Sequence, residues 1–467
     1  MESGLLSQFF NLVGSPVGMI GLLSGLFITY RARRSPRLAW FLVALCGFAA
    51  SLSFFRDQFT PEPPPLVFPL QQIRDAGRPL SILMLALLLW LGFNTPHYKS
   101  WRQNFFPSAI WALVILQVLI FFKSLAFGSV VFSLLAILTF SGVVLMVRLG
   151  PARWLQDHYQ FHLGIWAIAT VSVIFMAVNG YQALYDPYPI TFVQGAFLGT
   201  TGNPQHAATL LAATIPCLLF MTQMQSQKHW TVFWVVMLVG ILIGLLLTGS
   251  RTGVLMALLS FLLFFRQNKK ALLQAVVFGG LFGMFFMLLG GQIDLVFDPA
   301  FLSKQLLNTD NTRAQVWAAM WRNFNNYPIF GAPLQGDRFG YGENSWLAVA
   351  STLGIVGLIP LFLFGINSIM MIFKLNQIAI RNPSYTLPTS VVIAGLSSIL
   401  VGSFFEGFLL GTLSFPLLVL LLYLALGQYL LELSAGLERN QSSPYMASNV
   451  VSIIPQQAPS QSQELRP

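Results

Sequence analysis

Long apolar runs recur along most of this chain, separated by short polar or Gly/Pro-rich breaks. They fall at roughly residues 5–30, 38–55, 79–95, 106–122, 127–147, 163–180, 206–223, 230–248, 253–265, 271–290, 345–373, 388–405 and 412–434; most are near the length that crosses a bilayer as a helix, and several are short or broken by Gly and Pro. The pattern predicts an all-α polytopic membrane protein with about 12–13 transmembrane helices. Two connections break the rhythm of short loops, residues 181–205 and 291–343. Loops longer than about 12–15 residues are uncommon unless they are functional or disordered. The second is rich in aromatics, and its stretch Thr312–Asn325 places Ala314, Trp317, Ala318 and Trp321 on one helical face. It is expected to be a partly helical subdomain on the membrane surface, inserted into a membrane domain spanning 1–435. Residues 436–467 are rich in Ser, Gln and Pro and read as a disordered tail.

Composition supports this. Charged residues make up 9% of the 467-residue chain and hydrophobic residues 55%, whereas soluble domains carry about 25% charged residues. That balance excludes a soluble enzyme, a disordered chain and a nucleic-acid binder. The net charge of +10 follows from which loops hold Lys and Arg. With Arg31, Arg33, Arg34 and Arg37 inside, the cation split is about sixteen inside to nine outside, and both long loops and the site motifs face outward. The tail is then cytoplasmic. Met1-Glu2-Ser3-Gly4 has no basic stretch, so a cleaved signal peptide is not expected. Cys46 and Cys217 lie in apolar runs, and the five histidines show no metal-ligand spacing. No metal and no cofactor are expected.

Four outward motifs carry candidate chemistry. In Thr248-Gly249-Ser250-Arg251-Thr252-Gly253 the glycines allow a sharp turn, and Arg251 is either a functional cation or a snorkelling hairpin tip. Arg313 stands near the start of a helix, where backbone N–H groups also favour an anion; it could equally be solvated. Arg322, nine residues on, points to the opposite face. In Gly340-Tyr341-Gly342-Glu343-Asn344-Ser345-Trp346 the chain re-enters the membrane, and Glu343 is the right type of group for a general base or a favourable helix-start residue. Thr201-Gly202-Asn203-Pro204-Gln205-His206 reads first as a helix cap. Asp337 and Arg338 are neighbours able to pair at a surface, and Glu406 is a lone acid between two apolar runs. Two arginines, a carboxylate and polar caps facing one compartment suit a doubly anionic ligand. A lipid diphosphate fits, because the planar fork of Arg binds phosphate oxygens in pairs.

These motifs resemble the O-antigen ligase and O-antigen polymerase family of integral-membrane glycosyltransferases. The resemblance rests on Gly202-Asn203-Pro204, Thr248–Gly253, Arg313 followed by Trp317 and the Pro328…Gly331 turn, and Asn344-Ser345-Trp346-Leu347 leading to Leu353-Gly354-Ile355-Val356-Gly357-Leu358. It covers roughly residues 160–430. It implies a bacterial inner-membrane protein with a large periplasmic loop and a site facing the periplasm. It also implies transfer of a glycan from an undecaprenyl-diphosphate donor to an acceptor hydroxyl on a glycan, lipid A core or protein. The family's diphosphate-contacting arginines carry over to Arg251 and Arg313. Glu343 stands where ligases often have His, which favours a carboxylate base and a polymerase-like acceptor. The expected reaction is metal-independent and inverting, with Glu343, Arg251 and Arg313 catalytic and Ser250, Asn203, Asn344, His206 and Arg338 binding substrate. The rival class is a transporter or lipid flippase with a periplasmic Arg gate.

Overall fold

The computed structural model describes residues 14, 16–52, 65–94, 107–127, 130–149, 158–191, 195–270, 272–274, 313–334, 343–410 and 413–441. Most of the expected span at 271–290, most of the 291–343 loop with Arg338, and residues 442–467 of the tail therefore lie outside the described residues. The described chain is helical: α1 (Pro16–Ala32), α2 (Pro36–Ser51), α3 (Leu70–Asp75), α4 (Gly77–Asn94), α5 (Ser108–Phe127), α6 (Val130–Leu149), α7 (His158–Tyr185), α8 (Pro204–Met224), α9 (Lys228–Leu247), α10 (Arg251–Phe264), α11 (Ala314–Asn326), α12 (Ser345–Arg381), α13 (Thr386–Gly402) and α14 (Phe415–Gln441). Seven helices among the described residues are long and apolar enough to cross a membrane, and five shorter apolar ones accompany them. The protein is a polytopic membrane protein.

The core forms around α8, whose apolar window is 83% buried, while the window of α9 is 22% buried. Both are apolar, so burial separates a central helix from one whose outward Val232, Val235, Val236, Val239 and Ile243 suit lipid. Small residues bring helices close. Gly395 sits under the ring of Tyr423, whose hydroxyl donates to the Ala213 carbonyl at 3.0 Å. Gly164 rests against Trp40 and Leu426, and Gly47 against Val171, Phe415 and Leu418.

Polar contacts fix which helix ends lie together. Near one end, Arg266 donates from Nε to Asn376 Oδ1 at 3.0 Å and from Nη1 to Ser390 Oγ at 2.9 Å, tying α10, α12 and α13. Toward the other, Ser398 Oγ donates to the Met256 carbonyl at 3.1 Å, and Gly402 abuts the Met256 side chain. The starts of α8 and α10 meet there too, because a Cβ on Gly253 would stand 2.7 Å from Ala208 Cβ. The starts of α8, α10 and α12 and the end of α13 thus share one end of the bundle.

α12 departs from the sequence reading, which treated 345–373 as one run. At Gly354 the backbone turns to φ +61°, ψ −151°, and the helix doubles back. Trp346 lies 5.7 Å from Phe362 between ring centroids, and a Cβ on Gly365 would meet Trp346 Cη2 at 2.9 Å. The first limb, 345–353, therefore folds along the second, 355–381. The second limb is about 40 Å long at 1.5 Å per residue, enough to cross a bilayer alone.

The bend breaks helical hydrogen bonds, and the turn after α11 replaces them. Ile355 N donates to Pro328 O at 2.8 Å, Val356 N to Ile329 O at 3.2 Å, and Ala332 N to Ser351 O at 2.8 Å. Lys123 Nζ, on α5, donates to Phe330 O at 2.9 Å and Gly331 O at 3.1 Å. A side chain cannot enter this junction: a Cβ on Gly354 would stand 2.5 Å from the carbonyl oxygens of both Pro328 and Ile329. Gly354→Ala is expected to destabilise the protein by about 1–3 kcal/mol or more, read as a lowered melting temperature in detergent. Gly240→Ala on α9, where a Cβ meets nothing within 4 Å, is the control and leaves the melting temperature unchanged or raised.

Candidate active site

The contact cluster begins at the start of the first limb of α12. Asn344 caps this helix, its Oδ1 accepting from Trp346 N and Leu347 N, both at 2.9 Å. Ser345 N donates to Ser403 O at 3.0 Å, and Ser345 Oγ donates to Glu406 O at 2.7 Å while accepting from Leu409 N at 3.2 Å. Trp346 Nε1 donates to Ser403 Oγ at 2.9 Å, and its ring stacks on Phe404 with centroids 4.8 Å apart. The 403–410 loop is thereby fastened to α12 before any charged group is placed.

Onto this platform the residue before α11 delivers Arg313. Its Nη2 pairs with Glu406 Oε1 at 2.8 Å, with the two side chains 13% and 6% exposed. Its Nη1 donates to the carbonyls of Phe405 and Glu343. Burial pushes the Glu406 carboxyl up to about 7; Arg313 pulls it down and the nearby Glu343 raises it further. Glu343 Oε2 and Trp317 Nε1 are buried and have no hydrogen-bond partner among the described residues. Trp317 lies 6.3 Å from Phe405 between ring centroids, and Phe405 and Glu343 both offer their carbonyls to Arg313.

The second cluster stands on α8 and α10. Thr248 Oγ1 donates to Leu245 O at 2.6 Å and accepts from Ser250 N at 3.2 Å. Gly249 takes φ +63°, where an L side chain would be strained. Ser250 caps α10 by accepting from Gly253 N at 3.3 Å. Arg251 is exposed and opens the helix, while Thr252 and Gly253 are buried against the bundle. Asn203 Oδ1 accepts from Gln205 N at 2.6 Å, capping α8 ahead of Pro204, and His206 is exposed one turn in.

Arg313, Glu343 and Asn344 are thus brought into one contact cluster. Ser250, Arg251, Asn203 and His206 share its end of the bundle, since Met256 on α10 touches Gly402 on α13. Arg338 lies outside the described residues. The side chains of Asn203, Ser250 and Asn344 are engaged as helix caps. Sequence reading ranked Glu406 as a weak candidate, and the structure makes it the ion-pair partner of Arg313. It passed over Gln117 and Lys123. Gln117 Nε2 donates to Leu409 O at 2.8 Å, so α5 holds the loop of Glu406 through Gln117 and the turn after Arg313's helix through Lys123. The available signal was polarity, since an amide within an apolar span is a functional-site hypothesis by default.

A comparison with protein families now bears on this geometry. The sequence model of the O-antigen ligase family matches residues 236–362. Those residues are similar to that family, and they span less than half of the chain. The match covers Ser250, Arg251, Arg313, Arg338, Glu343 and Asn344, and leaves Asn203, His206 and Glu406 outside it. Compared with curated proteins, the chain matches none. The match makes this stretch of the membrane bundle similar to the O-antigen ligase family.

The capping geometry predicts how Asn344 responds to substitution. Asn344→Ala is expected to cost about 1 kcal/mol, the usual value of a lost N-cap, whereas Asn344→Asp keeps both stability and activity. Thermal unfolding in detergent, run beside an activity assay, checks this. Lost activity in a fully stable Asn344→Asp would show that the amide contacts substrate directly.

Proposed function

We propose that this protein transfers a glycan from an undecaprenyl-diphosphate donor to an acceptor hydroxyl, on the periplasmic side of the inner membrane. One observation carries the reading: Arg313 and Glu343 meet inside the bundle, at the recessed end of a helical hairpin. Trp346 packs beside Gly365, which lies roughly 16 Å along the second limb from the bend at Gly354. The turn lodged in that bend is held by Lys123, near the end of α5. A soluble sugar nucleotide has no need of such depth. A donor whose tail lies in the bilayer must bring its diphosphate to this level, and guanidinium groups are the preferred partners for its oxygens.

The steps follow from the residues. Glu343 accepts the proton of the acceptor hydroxyl, whose oxygen attacks the anomeric carbon opposite the diphosphate and inverts it. Arg251 and Arg313 hold the departing diphosphate and offset its growing charge. Diphosphate leaves readily, so the reaction needs no metal. Asn203, Ser250 and Asn344 act by fixing the helix starts that present these groups, and His206 and Arg338 complete the donor site. Glu343 as base favours a polymerase-like acceptor, a growing glycan, over lipid A core or protein.

The test is glycan transfer by purified protein supplied with a lipid-diphosphate oligosaccharide, with and without EDTA. Activity is expected to survive EDTA and to collapse in Glu343→Gln. Arg251→Ala is expected to lose on the order of 10²–10³ in rate, the usual scale for one oxyanion donor. A ladder of products indicates a polymerase and a single addition a ligase. If protein-dependent lipid movement appears in liposomes and no transfer occurs with any donor, the enzyme reading falls and Arg251 is a gate residue.

A further inference from the structure

Arg313 raises a problem for the reading just given, on which this inference rests. A donor diphosphate needs the guanidinium, yet its Nη2 is committed to Glu406 Oε1 at 2.8 Å and its Nη1 to two carbonyls. Glu406 is itself held in place: its backbone carbonyl accepts from Ser345 Oγ, and its backbone N–H donates to Gly402 O at 2.9 Å. The pair is buried on both sides. A dianionic diphosphate arriving there would meet Glu406 and Glu343 together, and like charges crowded in a water-poor site repel strongly.

We propose that Glu406 is a resident anion that occupies Arg313 in the empty site, and that it yields Arg313 to the donor diphosphate while taking up one proton from solvent. The balance is simple. The carboxylate gains a proton and becomes a neutral acid, the Arg313–Glu406 ion pair is exchanged for an Arg313–diphosphate pair, and the proton returns to solvent when the product leaves. Neutralised, Glu406 can donate a hydrogen bond to a phosphate oxygen instead of repelling it. Glu406 is a positioning residue in this scheme, since its part is to govern Arg313.

The charged surroundings support this exchange. Among the described residues, Arg313 from the start of α11 and Glu343 before α12 are the charged groups that act on Glu406; the loop's own Ser403 and α5's Gln117 add only neutral polar contacts. Glu406 is 6% exposed, and this burial pushes its carboxyl up to about 7, so protonating it near neutral pH takes little free energy. The sign follows. Below that value the carboxyl is already neutral and donor binding takes up no proton. Above it each bound donor must bring a proton with it, so affinity falls by about tenfold per pH unit.

The experiment uses the full-length protein in detergent and a prenyl-diphosphate-linked monosaccharide. This probe is esterified at both ends, so it stays a dianion through the range. Its dissociation constant is measured by calorimetry from pH 6 to 9 in buffers of different ionisation enthalpy, which also counts protons. Wild type is expected to bind with constant affinity below about pH 7, then about tenfold more weakly per unit above, with uptake approaching one proton. Glu406→Gln is expected to bind independently of pH, and at pH 8 more tightly than wild type by about tenfold or more. Glu343→Gln keeps the slope with its break moved to lower pH, which separates the two carboxylates. Wild-type binding that is flat from pH 6 to 9, or weaker binding by a folded Glu406→Gln at pH 8, overturns this proposal and leaves the donor reading intact. No binding by folded wild type at any pH overturns both. The wild-type slope needs no variant, so a Glu406→Gln that fails to fold does not blunt the test.

Discussion

The buried contact between Arg313 and Glu406 sets the terms for the rest of the site. Both side chains lie largely out of water, and deleting one partner of such a pair costs about 3–5 kcal/mol, because the other loses its hydrogen-bonded partner. The pair therefore requires two segments far apart in sequence to arrive at one point. α11 must start beside the end of α13, and the 403–410 loop must be anchored firmly enough to hold its acid in position. The Ser345, Ser403 and Trp346 contacts meet the second demand. The turn lodged in the bend of α12 meets the first, because it fixes the far end of the helix that Arg313 begins.

That bend exists under a strict rule. Backbone that is neither helix nor sheet is tolerated at membrane depth only where protein satisfies its polar groups. Pro328 O, Ile329 O and Ala332 N do so here, and Lys123 takes up the next two carbonyls. The glycines at 331 and 354 are needed for the same reason, since both take positive φ and both face backbone at distances that no Cβ can share. α5 serves the platform at two levels, Lys123 at the bend and Gln117 at the Glu406 loop. Residues before the stretch matched by the family model thus hold parts of this cluster in register.

Much of this was legible in the residues themselves. Apolar run length marks a membrane helix directly, so the spans outside 271–290 have counterparts among the described helices. Helix caps are local chemistry, and Asn203-Pro204 caps α8 as its types and position suggest; Ser250 and Asn344, read as substrate-binding, also serve as caps. The bend was not legible, because Leu353-Gly354-Ile355-Val356 remains uniformly apolar and hydropathy does not record a change of direction. Nor was the partner of Arg313. Glu406 lies 93 positions away, and nothing in Phe404-Phe405-Glu406-Gly407 points to a particular cation. Arg313 read as a cation awaiting an anion from outside, whereas the chain supplies one of its own.

The 93 positions between the two charges also separate them in time. A ribosome adding 5–20 residues per second takes about 5–20 s to travel from Arg313 to Glu406. Throughout that interval the arginine has been made and its acid has not. Lys123 and Gln117, by contrast, are synthesised long before the loops they hold. The nascent chain thus carries a cation bound for the bundle interior whose counter-charge arrives only with the loop between the last two long helices. The site can close only when α13 and the loop after it have been delivered, which makes its completion a late event in the birth of the protein.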